Sequence, residues 1–369
     1  MKILRPVGCA LIAMSWLSVA AAAAQDPSRL SSLTTPVTPT PSVTEAAATA
    51  VGSASRVVGP FDLSRPEILA FVDDIVGRNS LNREQVLALL GKANLQPKIL
   101  EAMSRPAERV SPWWEYRARF ITDRRIREGV EFWQQHRERL DKIEAETGVA
   151  PAYIVAIIGV ETFYGRITGS FRVLDALMTL GFDYPPRAQF FRGELEQFLL
   201  LAREEAVDPE AALGSYAGAM GAPQFIPSSY RRFAVDGGGD GQRNLFRDWD
   251  DVVASVANYF KVHGWERGAP VLAEAEAAPE VMSTLDPRNL ALNDTVAGLQ
   301  VRGVSIGRDD LAADLPAILI PAELEAGPNV RVGFKNFQVI TRYNRSVRYA
   351  MAVHDLAQAL TERVADPES

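Results

Sequence analysis

Glu161 is the residue in this chain best placed to do chemistry. It ends the run IVAIIGVE, three and four residues after Ile158 and Ile157. On a helix those positions share a face, so the carboxyl sits among apolar side chains. Loss of water raises a carboxyl pKa by disfavouring the charged form, and the partial negative charge of a helix C-terminus acts in the same direction. A carboxyl kept neutral at physiological pH can donate a proton, as a general acid breaking a glycosidic bond must. The structural alternative is a buried ion pair with a nearby base such as Arg166 or Arg172.

Two further segments carry polar groups in unusual settings. GSYAGAMGAPQFIPSSY, from Gly214 to Tyr230, sets single polar side chains among glycines and alanines. Small residues let backbone approach a ligand, and Ser215, Tyr216 and Gln224 can hydrogen-bond hydroxyl and acetamido groups. Its plainer reading is a close crossing of two helices. DGGGDGQRNLFRDWD, from Asp236 to Asp250, opens like a calcium-binding EF-hand, with Asp236 and Asp240 at positions 1 and 5 and Gly241 at the turn of position 6. Position 3 is Gly238, without a side-chain oxygen, and position 12 is Arg247 instead of a bidentate Glu. Calcium binding and a metal-free turn both remain open on these residues.

Composition removes other chemistries. One Cys and three dispersed His (His136, His263, His354) among 369 residues leave no disulfide and no Cys/His zinc cluster. A net charge of −7 without a basic run excludes nucleic-acid binding through a broad cationic surface. Residues 1–24 read as a secretory signal peptide: Lys2 and Arg5, an apolar middle, then Ala22 and Ala24 at cleavage spacing. Its removal takes Cys9 and both basic charges, moving the net charge to −9. No later run is apolar and long enough to span a bilayer, so no stable membrane anchor is expected. Residues 25–60, rich in Ser, Thr, Pro and Ala, read as a disordered tether.

The elements that must position these groups are mainly helical. Ser64 with Pro66 and Glu67 predicts one helix start, Asn82 with Gln85 a second, and Asp123 a long helix running to Gly148. Pro151 suits the first turn of the helix carrying Glu161, and that helix is apolar all round, hence buried. Helices follow at RGELEQFLLLAREE and DVVASVANYFKVHGW. Beyond Trp265, the segments TVAGLQVRGVSI, LPAILIPAEL and NVRVGFKNFQVITRY predict a small antiparallel β unit, and SVRYAMAVHDLAQALTERV a closing helix. The fold class is α+β, mainly α-helical.

Several long motifs in order carry a resemblance. GVETFYG (159–165), LDALMTLGFDYPPRAQFFRGELEQFL (174–199), GSYAGAMGAPQFIPSSY and SVANYFKVHGW (255–265), with EYRARFI (115–121) and ITRYNRSVRYAMAV (340–353), resemble the lytic murein transglycosylases of the B type. The likeness runs from about Phe61 to the C-terminus. It implies a helical domain over 61–149 and a lysozyme-like catalytic core with the EF-hand-like loop over 150–266. A small β domain over 267–335 and a C-terminal segment, 336–369, returning to the helical body complete it. It also implies that Glu161 is the single acid/base and that Ser215 and Gln224 are active-site polar groups. Tyr116, Tyr259, Tyr343, Asn344 and Tyr349 would line the sugar groove. In the calcium reading the ligands are Asp236, Asp240, the Gln242 carbonyl and Asp250.

The activity so implied is cleavage of the β-1,4 bond between N-acetylmuramic acid and N-acetylglucosamine in peptidoglycan, leaving 1,6-anhydro ends. No cofactor is required for that chemistry. The alternatives are a hydrolytic muramidase and a non-catalytic peptidoglycan-binding or scaffold protein. A buried carboxyl argues against the scaffold, which has no use for so costly a group. The expected location is the periplasm. The expected partners are peptidoglycan glycan strands and, within reach of the tether, proteins of cell-wall synthesis or division.

Overall fold

The structure is a computed structural model that describes residues 58–104, 111–205, 207–286 and 288–366. The leader and tether residues 25–57 lie outside the described residues. The last tether residues, Gly59–Pro60, form a short strand against Asn94–Leu95.

The centre of the molecule is the helix Pro151–Thr162, with Pro151 in its first turn and every residue buried. It packs against Asp123–Gln135, Trp249–Val262 and the C-terminal helix Val347–Ala365. A helix with no polar face can only be stable when surrounded in this way. Asn82 caps Arg83–Leu90 by accepting the Gln85 N–H, as its spacing predicts. Ser346 caps the C-terminal helix through the Tyr349 N–H.

Three expectations are corrected. Ser64 is not a cap: Asp62 takes both its N–H and its hydroxyl, leaving Arg65 to cap Pro66–Asn79 without a side-chain bond. The long helix from Asp123 is two helices, Asp123–Gln135 and Arg137–Thr147. His136 leaves helical geometry between them, its ring packed between Phe132 (4.4 Å) and Trp249 (5.5 Å). The charged pattern runs through this break because both pieces are amphipathic, so sequence period alone does not reveal it.

The third correction lies in the β unit. Val296–Val301 is a short helix capped by Thr295, and only the first part of NVRVGFKNFQVITRY is a strand. Its remainder, Lys335–Tyr343, is a helix burying Asn336, Phe337, Ile340 and Thr341, a helical spacing of β-branched and aromatic residues. The five-stranded sheet is antiparallel throughout. Its order is Asp294–Thr295, Pro316–Pro321, Val330–Gly333, Leu272–Glu276, Ser305–Ile306. The pleat divides Pro316–Pro321 between two cores: Ile318 and Ile320 join the main helical core, while Ala317 and Leu319 face a separate cluster with Val330, Val332 and Phe334. The sheet is thereby fastened to the helical body along one face.

Candidate active site

Glu161 lies in the last turn of the central helix with 6% of its surface exposed. Burial raises its pKa to about 8, against the opposing pull of one hydrogen bond, from the Tyr349 hydroxyl to Oε1 at 2.6 Å. The proposed basic partners are spent elsewhere: Arg166 pairs with Glu128 and Arg172 with Asp175. Among the described residues no second acid adds charge to its environment. The geometry is that of a carboxylic acid held neutral and oriented by a neutral donor.

The chain turns sharply after this acid. Phe163 and Tyr164 both adopt left-handed backbone, φ +52° and +59°, a strained choice for aromatic residues. Tyr164 holds the turn by threading between two helices and donating its hydroxyl to the Arg125 carbonyl (2.8 Å). Gly129 and Gly159 leave room for it, since a Cβ at either would stand within 2.7 Å of that hydroxyl. Thr162 fastens the helix end to the polar loop: its hydroxyl donates to the Ala222 carbonyl (2.8 Å) and accepts the Gly165 N–H (3.0 Å).

That loop, residues 214–226, is built from tight turns joined by the bridges Gly214–Met220 and Met220–Phe225. The Ser215 oxygen accepts the N–H groups of Ala217 and Ala219, leaving the hydroxyl proton to be donated. Gln224, at φ +54°, donates its amide to the Thr168 and Gly221 carbonyls. Both side chains are buried, so both are held rigidly. The loop reading of this segment is therefore the correct one, and the close-crossing reading is not.

The tyrosines expected along the groove take several positions. Tyr349 is fully buried and touches the acid itself. Tyr343 donates to the Pro223 carbonyl (2.7 Å) and Tyr259 to the Arg342 carbonyl (2.6 Å), with rings 4.8 Å apart. These two, with Phe225, form a wall joining the loop to the helices, and their hydroxyls are committed within the protein. Asn344 is buried beside Tyr343. Tyr116 is half-buried against Trp113 and Phe120, with the Arg348 guanidinium 5.4 Å from its ring centre.

The acidic loop is rearranged relative to expectation. Asp236 accepts the N–H groups of Gly239, Asp240 and Gly241, which hold its carboxyl below the usual range. Asp240 accepts the N–H of Gln242. Asp250 is taken by an ion pair: Arg139 grips both its oxygens, one at 2.7 Å. Its neighbour Asp251, 2% exposed, accepts the N–H groups of Gly237 (2.8 Å) and Asn244 (2.6 Å) and closes the turn. Among the described residues no three acids, His or Cys are grouped as a metal would require. Of the four expected ligands Asp250 is held by Arg139, so among the described residues they are not gathered as one set.

Thr162, Tyr164 and Asp251 are the residues that sequence reasoning missed. Asp251 had a signal: it begins the regular helical pattern of DVVASVANYF and is one of three acids in DWDD.

The fold thus holds a buried acid, hydrogen-bonded by Tyr349, at the end of a core helix that Thr162 ties to the polar loop. The chain matches the family model described as Transglycosylase SLT domain over residues 64–358. It is 41% identical over 309 residues to Membrane-bound lytic murein transglycosylase B of Escherichia coli (strain K12), covering 80% of this chain and 83% of that one. Catenated lytic transglycosylase SltB1 of Pseudomonas aeruginosa superposes with a TM-score of 0.78 at 49% identity, over 81% of this chain and 98% of that one. The Escherichia coli lytic transglycosylase Slt35, solved in complex with calcium, gives 0.76 at 39% identity, over 83% and 96%. The chain belongs to the lytic murein transglycosylases, enzymes of peptidoglycan with a lysozyme-like, mainly helical α+β fold.

Proposed function

We propose that Glu161 is the sole acid/base of this transglycosylase and that Tyr349 holds it for both proton transfers. The neutral carboxyl protonates the oxygen between N-acetylmuramic acid and N-acetylglucosamine, and the bond from that oxygen to carbon 1 breaks. The acetamido oxygen of the muramic acid stabilises the positive carbon. Glu161, now a carboxylate receiving the Tyr349 hydrogen bond, takes the proton of the 6-hydroxyl. Oxygen 6 then bonds to carbon 1 and closes the 1,6-anhydro ring. Glu161 ends with its proton restored, and no water is consumed.

The observation that carries this reading is the burial of Glu161 with Tyr349 as its hydrogen-bond donor. Ordinary glycosidases place a second carboxylate at a set distance, to attack carbon 1 or to activate water. The lone acid here suits a reaction whose second nucleophile comes from the substrate. Ser215 and Gln224 bind acetamido and hydroxyl groups, and Tyr116 gives a half-exposed ring for a sugar face. The leader directs the protein to the periplasm, and the tether gives it reach toward proteins of cell-wall synthesis or division. No part of the chemistry is routed through calcium.

Mass spectrometry of products from purified sacculi tests the mechanism. Anhydro products, together weighing the same as the strand cut, are expected. Products one water heavier throughout identify a hydrolytic muramidase instead.

A further inference from the structure

The residue that follows the acid has no part in the chemistry, yet its hydrogen bonds run to both sides of the site. Thr162 is fully buried at the last position of the central helix. A threonine in a helix commonly turns its hydroxyl back onto the carbonyl four residues earlier. Here that contact, to Ile158, is 3.3 Å, whereas the Ala222 carbonyl, 60 positions along the chain, lies at 2.8 Å. A hydroxyl has one proton to give, and the shorter contact takes it. The bond therefore leaves the helix and serves the polar loop.

Three hydrogen bonds close a ring on this residue. The Thr162 hydroxyl holds the Ala222 carbonyl, and two residues on the Gln224 amide donates to the Thr168 carbonyl (2.9 Å). The neighbouring Ile167 N–H returns to the Thr162 carbonyl (2.9 Å). Inside the ring the Gly165 N–H donates to the Thr162 hydroxyl (3.0 Å), which fixes the oxygen. Gln224 gives its second amide hydrogen to the Gly221 carbonyl (2.9 Å), so its amide oxygen is the atom left for a ligand. Its left-handed backbone, φ +54°, persists only where the surroundings over-determine it. Tyr343 pins the next carbonyl, Pro223, from the other side, but Thr162 alone joins the ring to the acid through a peptide bond.

We propose that Thr162 is a positioning residue for this reaction, setting the Gln224 amide oxygen in place relative to the Glu161 carboxyl. The inference rests on the reading of Glu161 as the acid and Gln224 as a sugar-binding group. Being fully buried, Thr162 acts through those two residues and not on the sugar itself. A bound sugar displaced by about 1 Å from its proton donor can lose about 10²-fold in rate.

The test compares Thr162→Val, which keeps the branched shape without the hydroxyl, with Thr162→Ser, which keeps the hydroxyl without the methyl. On purified sacculi, well below Tm, Thr162→Val should lower kcat by roughly 10- to 100-fold. Its KM should stay within about twofold of the parent, since the remaining groove contacts persist. Thr162→Ser should restore kcat to near that of the parent. The alkaline limb of kcat/KM should not move in either variant, because burial of Glu161 and its Tyr349 bond are untouched. Gln224→Asn tolerates left-handed backbone and withdraws the amide, so adding Thr162→Val to it should cost little more. Should Thr162→Val fail to fold, Thr162→Cys takes its place, a side chain of serine's shape with a weak donor, and its kcat should fall below that of Thr162→Ser. Parent-like kcat in Thr162→Val overturns the proposal, as does equal impairment in Thr162→Ser, which would assign the residue to packing. A limb shifted to lower pH, the mark of water entering a loosened site, overturns it too, and so do losses that multiply in the double variant. Full turnover by Glu161→Gln would refute the acid itself, a failure distinct from each of these.

Discussion

Glu161 and Asp236 carry the same functional group and finish with opposite affinities for a proton. Around Glu161 the structure supplies hydrocarbon and one tyrosine hydroxyl, and burial pushes the pKa up to about 8. Around Asp236 it supplies three backbone N–H groups in an exposed turn, and the pKa falls below the usual value. Hydrogen-bond supply and access to water therefore decide which carboxyl becomes an acid and which becomes an anchor. The two contributions to stability run in opposite directions with pH. Glu161 binds its proton more tightly in the folded chain, so stability is lost as pH rises from its ordinary 4.5 to about 8. Asp236 is the reverse: its contribution is present above its ordinary 3.8 and is lost as pH falls through the lowered folded value.

The largest break in this contrast is Glu161→Gln. It should reduce turnover of sacculi by roughly 10²- to 10⁴-fold, the span typical of a lost general acid. The same variant removes a buried group that must ionise at high pH. Its Tm should exceed that of the parent by several degrees at pH 9, at roughly 2–4 °C per kcal/mol, and match it near pH 4. Equal activity would remove Glu161 from the mechanism. Equal melting at both pH values would mean that the carboxyl is not desolvated.

Next in size is Tyr349→Phe. The Tyr349 hydroxyl favours the carboxylate form of Glu161, so its loss should raise the Glu161 pKa further. The alkaline limb of kcat/KM should move to higher pH, with the rate at its maximum about tenfold lower, as for one lost hydrogen bond to a charged group. A lower rate with an unshifted limb would assign Tyr349 to packing alone.

How far these sites were legible in the sequence depends on the range of the contacts that make them. Glu161 could be found from Ile157 and Ile158 because helical spacing sets its surroundings locally. The polar loop showed in its glycines and alanines, which permit close backbone turns. Tyr349, 188 positions away, could not be read as the hydrogen-bond partner of Glu161 from spacing at all. Resemblance placed it in the groove, and the structure shows it hydrogen-bonded to the acid. The break at His136 and the helix Lys335–Tyr343 were hidden for a related reason, since aromatic and sheet contacts across the fold override the local pattern. Asp251 was overlooked beside Asp250, because only the path of the chain shows which of two adjacent acids accepts the loop N–H groups.

Asp251→Ala sharpens the anchor side of the comparison. It strips two close acceptor contacts from the N–H groups of Gly237 and Asn244. An unsatisfied buried donor costs about 1–3 kcal/mol, so Tm should fall by several degrees. Asp250→Ala should cost less, because its partner Arg139 is partly exposed and can be hydrated. A larger loss from Asp250 would reverse the assignment of the two acids.

The smallest expected effect comes from calcium. A calcium ion takes six to eight oxygens, and its affinity follows the number of carboxylates offered. Here position 3 is Gly238, the Asp236 oxygens accept amides, Asp250 is held by Arg139 and Asp251 accepts two close N–H groups. Binding through Asp250 would first have to displace Arg139, and that cost is subtracted from whatever the ion gains. Millimolar calcium should therefore raise Tm by less than about 1 °C, since stabilisation grows only as the logarithm of ligand over Kd. Chelation should leave turnover unchanged. A rise of several degrees would show that the loop gathers enough oxygens for the ion despite Gly238 and the Arg139–Asp250 pair. Repeating the titration in Arg139→Gln, which frees Asp250, separates the two obstacles to binding. Calcium should stabilise that variant more than the parent if Asp250 is the missing ligand, and no more than the parent if the glycine at position 3 is what denies the site.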